Sequence, residues 1–216
     1  MASKGKSSTL LNSVTSWNYV EENRDLFDDW VYFDRTMFDD IFNDEMKEYM
    51  RNNMEPSENE LYRLEISREE LEELSYLLYR GNVSAKDFDF PENKYSQLKV
   101  GDKVPFKGTM KSFSDNFHDF EHVVDVFTTG ATMEFYLQKY PTLNVLIAPK
   151  GTPNFSLENY NEEMGQAETL VPSENWVVKN IETKNFKEVF TSDNSLHAQN
   201  MNGDKQVRLI YIEQDE

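Results

Sequence analysis

The spacing of apolar positions changes near residue 55, and this change divides the sequence into two parts. Residues 16–53 carry aromatic and aliphatic side chains at helical spacing, with runs of Asp and Glu between them. This pattern predicts two or three amphipathic helices whose apolar stripes pack in a core and whose acidic positions face solvent. Glu55-Pro56-Ser57 is expected to end the helical segment, because the residue before a proline disfavours helical backbone.

The second part of the sequence has the pattern of short strands and turns. Alternation of apolar and polar residues predicts strands at 61–66, 103–113, 142–148, 176–181 and 207–212. Helical spacing predicts helices at 117–127 and 133–140. Ser67 and Glu70 form a capping box for one more helix. We interpret residues 81–96 as an irregular insertion and residues 194–204 as a polar connection between strands.

The order of these elements predicts the fold class and the domains. Helices first and strands afterwards are typical of an α+β fold, here with a helical lobe packed on a β core. The chain has 216 residues, which suits one domain with a small extra lobe. We therefore predict a flexible, Ser- and Lys-rich tail at residues 1–15, a helical N-terminal lobe at 16–54 and the core at 55–216.

The composition favours a soluble protein of the cytoplasm. Hydrophobic residues make up 38% of the chain and aromatic residues 13%, which is enough for a sizeable core. No apolar stretch has the length of a membrane span, and no apolar N-terminal segment resembles a signal peptide. The sequence has no cysteine, which excludes disulfides and thiolate metal sites and fits a reducing compartment.

The net charge of −18, from 40 acidic and 22 basic residues, limits the partners. Nucleic acid is disfavoured as a direct partner, because binding its phosphates depends on Lys and Arg. Two interpretations of the acidic surface remain: it keeps the protein soluble by self-repulsion, or it imitates DNA and blocks a basic site on a partner. We favour the first, since net charge bears on solubility more than on a specific role.

Three short motifs occur in a fixed order along the core. They are LYR at residues 61–63, SFS at 112–114 and QAETLVP at 166–172. In this order they resemble the Arg…Ser-x-Ser…(Glu/Gln)-x-Glu signature of mono-ADP-ribosyltransferases, the NAD-consuming family of bacterial toxins and T4-type phage enzymes. LYRLEISREELEEL from residue 61 and LKVGDKV from residue 98 strengthen the match. The resemblance covers residues 61–178 and implies a split β core with NAD, the substrate, in its cleft.

The resemblance also implies a role for each motif residue. Glu168 would stabilise the cationic sugar that forms when the nicotinamide–ribose bond breaks, a need shared with glycoside cleavage. Arg63 would hold phosphate oxygens of NAD through its forked, permanently charged guanidinium. Ser112 and Ser114 would belong to the NAD site, with Ser114 bracing the carboxylate or the ribose. Gln166, two residues before Glu168 and therefore on the same strand face, would meet the acceptor.

Alternatives to these assignments are present in the sequence. A second Leu-Tyr-Arg, followed by Gly, ends at Arg80, and Gly is the usual residue of the family at that position. We prefer Arg63, because the Ser-plus-acidic-helix pattern expected after the strand follows it. The motif at 112–114 departs from the Ser-Thr-Ser of the family, so a plain Ser-rich turn is its other interpretation. Tyr160 is a candidate aromatic for acceptor recognition or a buried loop residue.

A competing motif for metal chemistry lies at residues 118–122. HDFEH matches the H-x-x-E-H pattern of inverted zinc peptidases, in a predicted helix where positions four apart share a face. Downstream carboxylates could supply a third ligand: Glu158, Glu162, Glu163 and Glu188. We prefer no metal, because a motif of three fixed positions arises by chance in an acidic helix. No Walker or Rossmann glycine loop is present, so NAD would not be held by a Rossmann fold.

The sequence therefore predicts an NAD-dependent enzyme that transfers ADP-ribose to a macromolecular acceptor, most simply a host protein. Gln-x-Glu, rather than Glu-x-Glu, is associated in this family with acceptors other than arginine, asparagine among them. The similarity to phage enzymes suggests an effector in bacterial cytoplasm, by analogy. The alternative function is an acidic decoy, either a DNA mimic or an inactive transferase fold, that binds a basic partner.

Overall fold

The computed structural model describes residues 48, 50–64, 94–106, 110–128, 142–156 and 168–215. Within them, eight strands form one mixed sheet in the order β1-β5-β6-β3-β2-β4-β8-β7. The strands are β1 Glu55–Pro56, β2 Leu61–Leu64, β3 Met110–Ser114, β4 Thr142–Ala148, β5 Pro153–Ser156, β6 Glu168–Pro172, β7 Trp176–Asn185 and β8 Gln206–Gln214. In this described sheet β4 and β8 run parallel, and the other neighbouring strands run antiparallel.

Residues 48 and 50–52 are helical, and three further α-helices accompany the sheet in the described part of the chain. They are α1 Phe117–Thr128, α2 Phe186–Val189 and α3 Leu196–Asn202. Short 3-10 turns lie at Lys94–Gln97 and Asp193–Ser195. The side-chain oxygen of Asn116 accepts the N–H of Asp119 at 2.8 Å, which satisfies a donor that the first turn of α1 leaves unpaired. Asn185 and Glu188 form a capping box at α2.

Both faces of the sheet are covered by apolar residues, because the strands alternate with period two. In β4, Leu143, Val145 and Ile147 are buried with residues of the three helices, and we call this side the helix face. Leu146 and Ala148 are buried on the other side. Residues of the 94–106 segment cover that side, which we call the loop face; the contributors are Leu98, Val104, Tyr95 and Phe106.

The observed strands and helix α1 confirm the α+β prediction. The predicted strand at 142–148 coincides with β4, the ends of β2, β7 and β8 were predicted to within four residues, and a helix was predicted at the position of α1. The outermost described strands are β1, which has two residues, and β7, whose pairing with β8 shifts register between Val178 and Asn180. No described helix has the length and apolar character needed to span a membrane.

The prediction of a strand from residue 103 to 113 is wrong in its first part. Lys103 forms an isolated bridge with Val177, and β3 begins at Met110. The preceding residues turn at Gly101, which has a φ of +92°, a conformation that glycine adopts readily. A carboxylate oxygen of Asp102 closes the turn by accepting the N–H of Lys99 at 2.8 Å. LKVGDKV is therefore a turn fastened against β7.

Two other local predictions also need correction. The polar connection at 194–204 contains helix α3. Glu55-Pro56 does not only end a helical segment, because it forms β1 and pairs with Pro153 and Asn154 of β5. The predicted tail at 1–15, nearly all of the helical lobe at 16–54, and the helices after Ser67 and at 133–140 lie outside the described residues.

Candidate active site

The described residues of the three motifs lie on three adjacent strands of the sheet. β3, which contains Ser112 and Ser114, lies between β6, which begins at Glu168, and β2, which contains Arg63. Ser114 is paired with Glu168 on one side and with Tyr62 on the other. Residues separated by 54 positions in the sequence, Ser114 and Glu168, are therefore direct cross-strand neighbours.

Ser112 and Ser114 are buried polar residues at the end of β3. Their exposed fractions are 7% and 8%, respectively. Phe113 between them is packed on the loop face, so alternation directs both serine side chains to the opposite side of the strand. Buried hydroxyls are rare without a hydrogen-bonding partner. Both buried serines lie on the strand that pairs with β6, which begins at Glu168.

Arg63 leaves its strand on the loop face. Its neighbours Tyr62 and Leu64 pack on the helix face, and its cross-strand partner Leu146 is buried on the loop face. One terminal nitrogen of the guanidinium, Nη1, donates to the main-chain oxygen of Ser112 at 2.8 Å. Arg63 is thus attached to the backbone of β3, which we call the serine strand, while Ser112 and Ser114 point to the other side of that strand.

Tyr62 packs against helix α1, a contact that the sequence pattern did not indicate. Its ring is 5.1 Å from that of Phe117 in an edge-on contact and stacks on Phe120 at 5.6 Å, measured between centroids. Its hydroxyl donates to Glu60 Oε2 at 2.9 Å. Burial, with a smaller contribution from Glu60, raises the pKa of Tyr62 well above its ordinary value. The feature of the sequence that could have indicated this contact is the aromatic residue directly before Arg63.

A hydrogen-bond network at the β1-β5-β6 end of the sheet was also not predicted. Thr169, which follows Glu168, is fully buried, and its hydroxyl donates to Asn154 Oδ1 at 2.5 Å. Asn154 Nδ2 donates to the main-chain oxygens of Glu55 at 3.0 Å and Thr152 at 3.2 Å. The signal in the sequence was slight: two polar residues in each of two short strands, PNFS and ETLVP.

The three residues of the competing zinc motif face in different directions. Glu121 is only 3% exposed, and its Oε1 accepts the N–H groups of Thr191 at 2.9 Å and Ser192 at 3.3 Å. His118 and His122 are exposed. The carboxylate therefore faces the interior while the imidazoles face solvent, and no group of three or more His, Cys, Asp or Glu in the described ranges is placed to hold a metal ion.

Several predicted site residues lie outside the described part of the chain. They are Gln166, Tyr160 and Arg80, together with Glu158, Glu162 and Glu163. Their roles stay predictions. Glu188, the remaining candidate ligand for zinc, has its Oε2 bonded to the N–H of Asn185 at 2.7 Å in the capping box of α2.

Comparison with solved structures finds proteins of the class that the motifs resemble. The fold is similar to that of the ADP-ribosylating toxin BECa of a binary enterotoxin of C. perfringens, solved with NADH, with 15% identity and a TM-score of 0.44. The likeness covers 96% of this chain and 45% of BECa, so the chain spans less than half of that toxin. No protein-family model and no curated protein matches the sequence.

Two further structures are similar to this one. An ADP-ribosyltransferase from Clostridium botulinum has 14% identity and a TM-score of 0.36, over 79% of this chain and 69% of that one. An ADP-ribosyltransferase toxin from Paenibacillus larvae has 16% identity and a TM-score of 0.38, over 99% of this chain and 90% of that one. Because these identities are low, function is inferred from the strand register and from the motifs.

Proposed function

We propose that this protein is an NAD-dependent mono-ADP-ribosyltransferase. The observation that supports the proposal is the pairing of Ser114 with Glu168 in the strand trio β6-β3-β2. Three motifs that are weak alone, and far apart in the sequence, occupy neighbouring strands of one sheet. If the motifs matched by chance, there would be no reason for them to lie on neighbouring strands.

In the proposed reaction the bond between C1 of the ribose and the nicotinamide nitrogen breaks. Its electron pair leaves with nicotinamide, and the sugar carbon becomes cationic. The carboxylate of Glu168 stabilises that cation, because a preorganised negative charge is most effective where positive charge develops. The acceptor nucleophile then bonds to the sugar carbon and loses a proton. Ser112 and Ser114 supply hydroxyls that orient the ribose or the carboxylate.

Arg63 binds the phosphates of NAD in this proposal. A guanidinium presents several N–H donors in a planar fork, so it can bond to a carbonyl oxygen and to an anion together. Its bond to the oxygen of Ser112 at 2.8 Å holds the guanidinium against the serine strand. The same contact would couple phosphate binding to the position of Ser112 and Ser114.

The acceptor is a protein in this proposal, and Gln166 selects it. Gln166 in place of Glu points to an acceptor other than arginine, by the family resemblance. Action in bacterial cytoplasm, as an effector of phage origin, follows from the resemblance to phage enzymes and is proposed on that ground.

The test uses purified protein, NAD labelled in the adenylate part, and a bacterial lysate. We expect label to enter macromolecules, and nicotinamide to appear in proportion. Glu168→Gln should lower both by about 100-fold or more, as for other preorganised charges in active sites. Glu58→Gln is the matched control, because it makes the same chemical change at an exposed position. Tight binding of a lysate protein without consumption of NAD would instead support the acidic decoy.

A further inference from the structure

We infer that Asn154 and Thr169 are positioning residues that fix the start of β6, and hence Glu168, for the transfer reaction. This inference rests on the proposed function. It concerns two side chains outside the motif positions to which the resemblance gives a role. It starts from the hydrogen bond that joins the side chains of β5 and β6, Thr169 Oγ1 to Asn154 Oδ1 at 2.5 Å.

The burial of Thr169 makes this hydrogen bond necessary. Its side chain has no exposed surface, and it lies next to Glu168 in the strand. A hydroxyl buried without a partner destabilises the folded protein, because it has lost its hydrogen bonds to water. The bond to Asn154 satisfies it. Loss of the bond therefore favours a movement of Thr169 that brings its hydroxyl into contact with water. Because Glu168 is the preceding residue in the chain, such a movement also displaces Glu168.

Asn154 is itself held from two sides. Its Nδ2 donates to main-chain oxygens of Glu55 in β1 and of Thr152 in the turn before β5. Thr152 is fixed in turn: its hydroxyl donates to the oxygen of Pro149 at 2.6 Å, and its own oxygen accepts the N–H of Ser57 at 2.9 Å. The acceptor that Thr169 uses is therefore anchored to β1 and to the end of β4.

The location of the pair gives it a role beyond general stability. β5 ends at Ser156 and β6 begins at Glu168, so the eleven-residue connection 157–167, which includes Gln166, lies between Asn154 and Thr169 in the chain. Ser156 is paired with Thr169, and Phe155 with Leu170. The hydrogen bond thus joins the two strands that precede and follow Gln166, the proposed acceptor-selecting residue, in the sequence.

This arrangement has a kinetic consequence that a merely structural pair would lack. A misplacement of about 1 Å at a catalytic group can lower a rate by about 100-fold, because the reacting atoms must be aligned. The start of β6 has Ser114 on one side and Ser156 on the other. Displacement of that strand start changes where Glu168 lies relative to Ser114, even while the protein stays folded.

The decisive comparison is Thr169→Val against Thr169→Ser. Valine keeps the shape and removes the hydroxyl, whereas serine keeps the hydroxyl. We expect Thr169→Val to lower kcat for nicotinamide release by on the order of tenfold, with little change of KM for NAD, and Thr169→Ser to retain most of the rate. Phe190→Leu, a buried substitution on the helix face, controls for lost stability: it should lower Tm without lowering kcat well below Tm.

Two further measurements separate positioning from other roles. In the Glu168→Gln background, Thr169→Val should have no further effect on the residual rate, because its effect passes through Glu168. Independently of any activity, amide hydrogen exchange over residues 168–170 should accelerate in Thr169→Val and not in Thr169→Ser. An additive loss of rate in the double variant, or unchanged exchange in Thr169→Val, would overturn the inference.

Failure of the proposed function has a different signature. If the wild-type protein releases no nicotinamide, at any NAD concentration and in the presence of lysate, the proposed transferase function is refuted. Amide hydrogen exchange of residues 168–170 in Thr169→Val then decides whether the Asn154–Thr169 bond holds the start of β6. An active wild type with a normal kcat in Thr169→Val refutes the positioning role alone.

Discussion

Asp125 of helix α1 accepts a hydrogen bond from the backbone N–H of Ala198 at 2.8 Å, and thereby caps helix α3 from outside it. The N-cap residue of α3, Ser195, makes no capping bond with its side chain to that helix. A carboxylate near a helix N-terminus also interacts favourably with the helix dipole. Helix α1, which follows β3, therefore supplies an acceptor to the first turn of α3.

The first prediction concerns this cap. Asp125→Ala should lower the free energy of unfolding by about 1 kcal/mol, the usual cost of removing an N-cap acceptor. Urea denaturation measures it. Asp204→Ala is the control, because Asp204 is exposed beyond the other end of α3, and it should change stability by less than about 0.5 kcal/mol. Equal loss in both variants would show that the contact with Ala198 contributes nothing.

The second prediction separates a structural role of the 118–122 motif from a metal role. Glu121→Ala should lower the free energy of unfolding by about 2–3 kcal/mol, because two N–H groups, of Thr191 and Ser192, lose a charged acceptor. The double variant His118→Ala with His122→Ala should cost much less and should spare NAD cleavage, since both imidazoles are exposed.

Metal analysis completes that test. Protein purified without added zinc should contain well below one equivalent of the metal. Stoichiometric zinc that disappears in the double histidine variant would contradict the structural role and support a peptidase.

The third prediction follows from the burial of Tyr62. Its pKa is raised in the folded protein, so folding favours the protonated phenol. This contribution to stability is complete below the unfolded pKa of about 10 and is lost as pH rises above it. Stability of the wild type should therefore fall more steeply above pH 10 than that of Tyr62→Phe. Tyr211, whose pKa is also raised by burial, remains in both proteins and provides a common background.

The fourth prediction distinguishes the two Leu-Tyr-Arg motifs. Arg63→Lys should weaken NAD binding strongly, because an ammonium group cannot bond simultaneously in a planar fork to Ser112 and to a phosphate. Arg80→Lys should have a mild effect. Equilibrium binding of NAD to the two variants decides between them, and the reverse result would move the first motif to residues 78–80.

The fifth prediction addresses the acceptor. Gln166→Ala should reduce transfer to the target much more than hydrolysis of NAD by water, because the acceptor depends on positioning and water does not. Gln166→Glu should keep hydrolysis. The measured quantity is the ratio of target labelling to nicotinamide release. If both activities fall together in Gln166→Ala, the residue serves NAD or the fold instead.

The sequence predicted those elements whose signal is local. Period-two alternation located β2, β4, β7 and β8, and helical spacing located α1. Helix α3 was missed because its sequence is polar and lacks a local side-chain cap. The acceptor for the N–H of Ala198 is Asp125, which is 73 residues away in the sequence. The turn at Gly101 was missed because LKVGDKV also alternates, and only its contact with β7 shows which conformation forms.

The site was predictable as a set of motifs, and its geometry was not. The order of LYR, SFS and QAETLVP indicated which segments belong together. The face from which Arg63 leaves the sheet depends on the packing of Tyr62 and Leu64 against helices distant in the sequence, and the Asn154–Thr169 bond depends on the register of β5 with β6. Both are tertiary properties that a local pattern does not contain.

The outermost strands of the described sheet bear on how this protein behaves at high concentration. A strand at an edge presents unpaired backbone groups to any other chain. β1 offers only two residues, one of which is Pro56 and has no N–H to donate. β7 carries a register shift after Val178 and the exposed lysines Lys179 and Lys184. Each edge of the described sheet thus opposes sheet-to-sheet aggregation, and β6, the strand that begins at Glu168, has a paired strand on both sides.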